Sequence, residues 1–383
     1  MTKIKKIAIF ICVLEVVLGF CLIVGSKIKE TVFLLMSMLL FFLILTLHTA
    51  TCGGGESASG IQIQCVSDCG CFGDAIKLTP WESFYKDVVL SVLIFIIFAF
   101  KDRVKYQGKL ENTKILPVAL LLVGLFSYFI LDWLFPIYFT LILFLLVVVV
   151  NKFILKEKRE WTLAALTLVT CAAFSYHTYS HLPIRDYRPY AIGKNIINDM
   201  TLPEGAKVDV YEDVWKYEVD GTVNEYSTAD KPWEIEGAVF VDRQTKLIEE
   251  GDHPPIHDFS IESDALGDIT DSVLKASNSL VFVMYDLTKS NFDALKTTEK
   301  IINGLSDETL TVVALSATTE IQMEQIVKNA GISYPFYFTD ETTLKTIVRS
   351  NPGMLWLKEG TIVDKFHYND FPDSENLINQ YLR

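Results

Sequence analysis

Residues 65–100 read "CVSDCGCFGDAIKLTPWESFYKDVVLSVLIFIIFAF", a cysteine-rich loop that runs into a long apolar segment. At the junction, Thr79, Pro80 and Glu82 have the spacing of a capping box, with threonine at the N-cap position. A helix from Pro80 to Lys101 would be about 33 Å long at ~1.5 Å per residue, which is enough to cross a bilayer. The stretch therefore predicts a membrane helix that begins beside a cluster of thiols.

Further apolar runs lie on both sides of this stretch, each long enough or nearly long enough to span a membrane. They cover residues 7–25, 31–50, 115–131, 134–150 and 161–178. Together with the helix at Pro80 they predict an α-helical membrane bundle of about six helices over residues 1–179.

The two halves of the 383-residue chain differ in charge. Residues 1–179 carry 16 Lys and Arg against 12 Asp and Glu, whereas residues 180–383 carry 18 against 35. This division predicts a membrane domain followed by a soluble acidic domain. The acidic half excludes nucleic acid as a partner, since phosphates need clustered Lys and Arg, and it disfavours adhesion to anionic lipid.

Basic loops predict the orientation of the bundle, because Lys and Arg are enriched on the cytoplasmic side. The loops 101–114 and 151–160 are basic and are expected inside the cell, so the cysteine loop 51–79 and everything after residue 178 are expected outside. The same count places the N-terminus outside, which conflicts with its run "MTKIKK". We expect either one misassigned helix or a further helix ahead of the first.

The four loop cysteines admit three interpretations. Zinc is disfavoured, because structural sites use well-separated C-x2–4-C pairs and Cys69-Gly70-Cys71 is too tight for one tetrahedral ion. A structural disulfide is the simplest interpretation outside the cytoplasm, with Cys52 to Cys65 as the natural closure. A redox role is the alternative, since a disulfide between Cys69 and Cys71 would close a very small, easily reduced ring.

Two residues outside the loop, Glu15 and His48, favour the redox interpretation, and Asp74 within the loop is a candidate supporting residue. Glu15 is an ionisable residue inside an apolar run, where charge is costly enough to suggest function, although a helix–helix hydrogen bond would also account for it. His48 lies four residues before Cys52 and could move protons or lower a thiol pKa, or simply contact headgroups. Asp74 follows the Cys69–Cys71 pair.

Two motifs in the first half, "LEVVLG" (14–19) and "DCGCFGDAIKLTPWESFYKDVVL" (68–90), resemble the DoxX/MauE-type membrane proteins. Two later motifs, "HLPIRDYRPYAIGKNI" (181–196) and "GDHPPIHDFSI" (251–261), resemble the soluble extension of a Bacteroidetes branch of that family. The resemblance implies a four-helix core over residues 1–101 in the inner (cytoplasmic) membrane, with disulfide chemistry in the periplasm. It assigns that chemistry to Cys69 and Cys71, and Glu15 would be the family's intramembrane carboxylate. The family normally has a helix ahead of "LEVVLG", and the loop around Cys52 and Cys65 is an addition to its pattern.

The acidic half begins with a β-rich connecting segment, residues 180–257. Asp220-Gly221 is a favoured two-residue turn and predicts a hairpin between "VDVYEDVWKYEV" and "TVNEYS". The stretch "GAVFVDRQTKLIEEG" (237–251) is a candidate for a second hairpin. His253 and His257 are separated by two prolines and are interpreted as loop residues, not as metal ligands.

From residue 258 to 383 strands and helices alternate in an order that resembles a thioredoxin-like domain. Asn351-Pro352 stands where that fold keeps a cis-proline before a strand hairpin. The usual Cys-x-x-Cys would lie near residues 287–290, where this chain has "LTKS". The domain is expected to have the fold without the nucleophile, so it would dock a substrate or partner, or cover the cysteine loop as a structural lid.

The leading hypothesis is a membrane thiol–disulfide oxidoreductase. Cys69 and Cys71 would exchange electrons with an extracytoplasmic protein thiol or a partner membrane subunit, and no metal is expected. The cofactor is open, and a quinone near Glu15 rests on analogy with the vitamin K epoxide reductase fold. The alternative is a non-catalytic membrane scaffold, in which the disulfides are structural and the inactive thioredoxin-like domain binds a partner protein.

Overall fold

A computed structural model describes most of the chain. The described residues are 3–52, 55–56, 62–63, 65, 73, 75–104, 106, 115–202, 204–219, 221–249, 251–263, 265–305 and 310–382. They form two compact units, Met1–Tyr187 and Arg188–Arg383.

The N-terminal unit is helical. Its described elements are α1 (Lys3–Val24), α2 (Ile28–Ala50), the short strands β1 (Gly55–Glu56) and β2 (Gln62–Ile63), α3 (Pro80–Ala99), α4 (Ile115–Phe129), α5 (Phe135–Phe153) and α6 (Arg159–Ser180). The predicted capping box at the start of α3 is confirmed, since the Thr79 hydroxyl accepts the Glu82 amide at 3.3 Å and the Thr79 amide donates to Glu82 Oε2 at 2.9 Å.

Three of the described helices are long and apolar enough to cross a membrane by length and composition, namely α1 from Lys6, α2 and α5. The helix α4 is apolar but has only 15 residues. The first turns of α3 carry Glu82, Lys86 and Asp87, and α6 is more polar along its length, so the crossings expected for α3, α4 and α6 stay predictions.

Buried apolar side chains hold these helices together. Val24 of α1, Val150 of α5 and Leu163 of α6 have no exposed surface and share one cluster. A second cluster joins Val32 of α2 and Ile94 of α3 to α1. Most remaining apolar side chains of the helices point outward, as expected where lipid replaces water around a bundle.

The C-terminal unit contains both helices and strands. Its described elements are α7 (Ile196–Asp199), β3 (Val210–Val219), β4 (Thr222–Ser227), β5 (Val239–Glu249), β6 (Glu262–Ser263), β7 (Gly267–Asp268), α8 (Thr270–Leu274), β8 (Ser279–Val283), α9 (Phe292–Gly304), β9 (Thr311–Ser316), α10 (Glu320–Ala330), β10 (Phe336–Phe338), α11 (Glu341–Ile347), β11 (Gly353–Lys358), β12 (Thr361–His367) and α12 (Ser374–Leu377).

Seven strands form the main sheet in the order β12-β11-β8-β9-β10-β6-β7. The strands β8, β9 and β10 are parallel to one another, whereas the hairpin β11–β12 joins β8 in antiparallel fashion. The Asn351–Pro352 peptide is cis and directly precedes β11, as the sequence predicts. This strand order and the helices that connect the strands give a thioredoxin-like fold.

The core of this unit is packed between the sheet and its helices. Phe282 of β8 and Trp356 of β11 are fully buried, and each such side chain contributes roughly 1.5–3 kcal/mol by leaving water. The Trp356 indole donates to Asn278 Oδ1 at 3.2 Å, so its only polar atom is satisfied. The sequence "FPDSENLINQYL" (371–382) predicts a last helix over residues 373–382, but α12 ends at Leu377 and a π-helical turn, Ile378–Leu382, follows.

A separate three-stranded sheet has the order β4-β3-β5. The hairpin of β3 and β4 is as predicted, with Val219 opposite Thr222. The second hairpin expected within residues 237–251 is wrong. That stretch is one 11-residue strand, β5, because its polar centre continues the ladder with β3 and does not turn.

Candidate functional site

A disulfide joins Cys52 and Cys65 in the loop between α2 and α3. The two Cα atoms are 5.8 Å apart, and the bond encloses the short strands β1 and β2, which pair with each other. This is the closure expected from the sequence. It ties the first part of the loop to the end of α2, close to Thr51, the C-cap residue of that helix.

The residues predicted to carry the chemistry, Cys69 and Cys71, lie outside the described residues, as does Asp74. Their roles in the chemistry therefore stay predictions. Cys65 is described and stands four positions before Cys69 in the sequence, so the disulfide anchors the chain just ahead of the predicted redox pair.

The other two predicted residues occupy separate helices. Glu15 lies in the middle of α1, on an exposed part of the surface of the described helices, and the charged groups that act on it belong to Lys86 and Asp87 of α3. His48 lies in the last turn of α2 and is exposed. The structure thus brings Glu15 close to α3, and the environment it finds there was not predicted.

That environment centres on Asp87, a carboxyl group that is 4% exposed. The Thr46 hydroxyl of α2 lies 3.1 Å from Asp87 Oδ2, and the Lys86 ammonium lies 3.3 Å from Asp87 Oδ1. One turn earlier, Ser83 is fully buried and its hydroxyl has no hydrogen-bond partner. A buried polar group without a partner is costly, so this face of α3 is polar where packing alone would favour apolar residues.

Sequence analysis missed Asp87 and Thr46. The signal that could have found Asp87 is the one that singles out Glu15, an ionisable residue in a helix predicted to cross a membrane. Asp87 stands out less than Glu15 because it directly precedes the apolar run 88–100 and belongs to the amphipathic start of α3. With Glu15 and Lys86 it gives two carboxyl groups and one ammonium on adjacent helices.

In the C-terminal unit, the segment expected to hold a Cys-x-x-Cys motif is a short 3-10 turn, Leu287–Lys289. Asn351, directly before the cis-proline, fixes it from the other side. Its side-chain amide donates to the Asp286 carbonyl at 2.7 Å, and its own side-chain oxygen accepts from the Ser290 hydroxyl at 3.0 Å. Side-chain and backbone hydrogen bonds therefore hold a loop that carries no thiol.

Asp286 is the charged centre of this loop. Its carboxylate accepts from the Thr288 hydroxyl and amide and pairs with the Lys289 ammonium. Partial burial would raise the pKa of Asp286, but the hydrogen bonds from Lys289 and Thr288 outweigh it and lower the pKa below its ordinary value of 3.8. The group is therefore a carboxylate at neutral pH, and it is not suited to act as a general acid there.

A cavity of about 470 Å³ opens beside this loop. It is lined by residues that follow the parallel strands β8, β9 and β10, among them Tyr285, Thr318, Thr319 and Asp340. Ligands of open α/β sheets bind outside the carboxyl ends of the parallel strands, which is where this cavity lies. Its lining is mostly polar, with hydroxyl groups and charged pairs around two aromatic rings.

His253 Nε2 lies 3.8 Å from Asp209 Oδ1, and His257 is exposed. Within the part of the chain that the structure describes, no three His, Cys, Asp or Glu residues come together as metal ligands.

No family model matches this chain, and a search of curated proteins finds no match either. Several solved structures are similar to its C-terminal part. A protein assigned as a disulfide isomerase from Bacteroides thetaiotaomicron is 13% identical, with a TM-score of 0.27 over 32% of this chain and 82% of that one.

Two further solved structures match the same share of the chain, 32%. StoA from Bacillus subtilis is 13% identical, with a TM-score of 0.25 over 93% of its own length. A DsbF homologue from Corynebacterium diphtheriae is 15% identical, with a TM-score of 0.23 over 83% of its length. Scores this low add nothing to the fold assignment, which rests on the strand order given above.

Proposed function

We propose that this protein is a membrane-embedded thiol–disulfide redox protein that acts through Cys69 and Cys71 on an extracytoplasmic protein thiol or a partner membrane subunit. The observation that carries the proposal is the Cys52–Cys65 disulfide, which pins the same loop immediately ahead of that pair. An oxidised bond in this loop fits a compartment in which thiols exchange, and the DoxX/MauE-type resemblance assigns the exchange to the next two cysteines.

In the proposed reaction a thiolate of the partner attacks the Cys69–Cys71 disulfide and forms a mixed disulfide with one of the two sulfurs. A second thiolate of the partner then displaces that sulfur, so the partner gains a disulfide and Cys69 and Cys71 become thiols. Two electrons and two protons reach the loop in this step. An acceptor in the membrane would have to take them up again, and a quinone near Glu15 would supply that chemistry by analogy with the epoxide reductases.

The orientation belongs to the same proposal. The cysteine loop and the C-terminal unit would face the periplasm from the inner (cytoplasmic) membrane, with the basic loops 101–114 and 151–160 inside. Three helices are apolar and long enough to hold the chain in a bilayer. The C-terminal unit has the thioredoxin-like fold but no cysteine, so any thiol chemistry of the chain belongs to the first half.

Cysteine replacement tests the proposal. Cys69→Ser and Cys71→Ser, made singly, leave one loop thiol. When that thiol attacks the disulfide of an oxidised partner, which is the proposed exchange in reverse, no second loop thiol can resolve the mixed disulfide. After alkylation of membranes, at least one variant should migrate with a covalently bound partner that dithiothreitol releases. Cys171→Ser is the matched control, because Cys171 is a buried free cysteine of α6 and should trap nothing. If neither loop variant traps a partner while both accumulate normally, the redox role is wrong.

The second candidate function is a non-catalytic scaffold, and the cavity beside residues 285–289 favours it. In that case the disulfides only hold the loop, and the thioredoxin-like unit binds a partner protein at the carboxyl ends of its parallel strands. Replacing loop cysteines would then lower the amount of folded protein without trapping a partner. Gln322→Arg would fill the cavity and abolish partner binding, whereas it should leave any thiol exchange in the loop unchanged.

A further inference from the structure

The three-stranded sheet leaves one long strand unpaired on its outer side. The strand β5 pairs with β3 and with no other strand among the described residues, and all eleven of its residues are exposed. Its length is about 36 Å at ~3.3 Å per residue, well above that of an ordinary strand. An edge of this length presents a row of free amide and carbonyl groups and is a template for another strand.

One face of this sheet is aromatic and exposed. The Trp215 ring lies 5.7 Å from Trp233 and 6.4 Å from Phe240, and the Arg243 guanidinium lies 4.9 Å from the Trp215 ring. Trp233 and Phe240 are each about half exposed.

The opposite face carries an alternating row of charges. Glu225 of β4 pairs with Lys216 of β3 at 3.4 Å and with Lys246 of β5 at 3.2 Å. Asp242, opposite Lys216 in the ladder, stands on the same face of β5 as Lys246. On this face β5 therefore carries the negative Asp242 two positions before Gln244 and the positive Lys246 two positions after it.

The sequence of β5 is self-complementary about Gln244. Between its irregular positions Val241 and Ile248 the strand keeps a regular register with β3. When this part is laid antiparallel to a copy of itself with Gln244 opposite Gln244, Asp242 faces Lys246 and Arg243 faces Thr245. The two-fold symmetry forms each of these pairs twice, including two opposite-charge pairs.

Other alignments lose this match. Moving the centre to Thr245 sets Arg243 opposite Leu247, which places a charge against an apolar side chain. Centring the pair between Gln244 and Thr245 sets Arg243 against Lys246, and like charges that face each other across a strand pair are destabilising. One register is thus favoured over its neighbours. This is expected of a specific contact, and not of an edge strand that pairs equally well in several registers.

We propose that β5 is the contact surface for a second copy of this chain, and that two copies join their sheets into one six-stranded antiparallel sheet. In the single chain, Asp242 accepts from the Arg243 amide at 2.9 Å and from the Gln244 side chain at 3.2 Å. In the dimer it turns to the partner's Lys246, and the Arg243 amide becomes free to join the new ladder. Both aromatic faces lie on the same side of the joined sheet, because paired residues share a face.

Cross-linking in native membranes tests this geometry. Gln244→Cys places a thiol on the two-fold axis, where opposing Cα atoms of an antiparallel pair are about 4.5–5.5 Å apart, within disulfide range. Mild oxidation of the intact protein should give a covalent dimer. Asn224→Cys is the matched control, since it is equally exposed but lies on β4 at the far edge of the sheet. Equal cross-linking at both positions, or none at position 244, would overturn the proposal.

The charge pairs give a second test that uses two single variants in the Gln244→Cys chain. Asp242→Lys alone or Lys246→Asp alone creates two like-charge pairs per dimer and should cut cross-linking about tenfold. When the two variants are expressed together with different tags, every pair is again of opposite charge, and mixed dimers should form at the parent level. The proposal fails if the single variants still cross-link fully, or if both chains accumulate in trypsin-resistant form without mixed dimers.

Discussion

Asp87 of α3 shows how a polar group is accommodated among the helices of the N-terminal unit. A carboxyl group inside a helix bundle is costly unless donors reach it, and here one donor comes from a neighbouring helix and one from the preceding residue, Lys86. The Thr46 hydroxyl also lies 2.9 Å from the Phe42 carbonyl of its own helix. Since a hydroxyl has one proton, Thr46 can donate to only one of these acceptors at a time.

Replacing Thr46 by valine removes one donor from Asp87 while keeping the shape of the side chain. We expect Thr46→Val to lower the stability of the detergent-solubilised protein by about 1–2 kcal/mol, because a buried acceptor loses a partner. Thr49→Val is the control, since the Thr49 hydroxyl donates only within α2, to the Thr46 carbonyl at 2.9 Å. Thermal unfolding of both variants measures the difference, and equal midpoints would show that Thr46 does not support Asp87.

At the residue scale the sequence predicts what is local. The Thr79–Glu82 capping box was foreseeable because both partners lie within one turn. The Cys52–Cys65 bond followed from the short loop between two thiols. The Thr46–Asp87 contact was not foreseeable, since it joins residues 41 positions apart on different helices and depends on how those helices pack.

At the element scale, the loop between β8 and α9 is built for rigidity. The amide of Leu287 donates to the buried Thr318 hydroxyl at 2.8 Å, and Asn351 reaches the loop from the turn before β11. A thioredoxin-like loop that undergoes exchange must present a sulfur. This one instead uses its polar groups to hold itself, which fits a domain that binds and does not react.

The charge of Asp286 should make this loop sensitive to acid. Its folded pKa lies below 3.8, so its stabilising contribution is fully present above about pH 4 and is lost as pH falls through the folded pKa. Asp286→Asn should therefore expose the amides of residues 286–290 to faster hydrogen exchange at pH 7 than in the parent protein. In spectroscopic melts the difference between the two proteins should shrink as the pH is lowered below about 4. A difference that stays constant over that fall in pH would contradict the electrostatic cause.

The sequence predicts the elements that have a regular pattern of apolar residues, but it does not predict the polar strand β5. The buried strands β8 and β9 and the helices α9 and α10 follow from apolar runs and amphipathic spacing. The polar centre of residues 237–251 favours a hairpin when the sequence is considered alone. A polar centre is normal in a strand with two exposed faces, and only its pairing with β3 distinguishes the two structures.

For the whole molecule, charge and hydropathy predict a division near residue 180, and the structure divides the chain after Tyr187. The sequence could not predict which helices of the first unit contact one another. Antiparallel neighbours of similar apolar composition give several equivalent packings, and specific side chains select among them. One such contact joins the Lys27 amide to Glu160 Oε2 at 2.7 Å, which ties the turn after α1 to the start of α6.

The proposed orientation can be measured on the whole chain. Reporter fusions at residues 107 and 155 should be active in the cytoplasm, since they lie in the basic loops, and a fusion at residue 60 should be active outside. A phosphatase reporter, active only outside, and a fluorescent reporter, active only inside, give opposite signals at each site. A cytoplasmic signal at residue 60 would remove the basis for the proposed redox chemistry.

Residues 180–383 contain no cysteine, and this matters for how the chain matures. If the orientation is as proposed, the loop with its four cysteines and the acidic half reach an oxidising compartment together. Four cysteines can pair in three ways, whereas six can pair in 15. Because the thioredoxin-like domain has no cysteines of its own, most incorrect disulfide pairings are excluded in a newly exported chain. The fold of that domain also does not depend on whether the loop is oxidised.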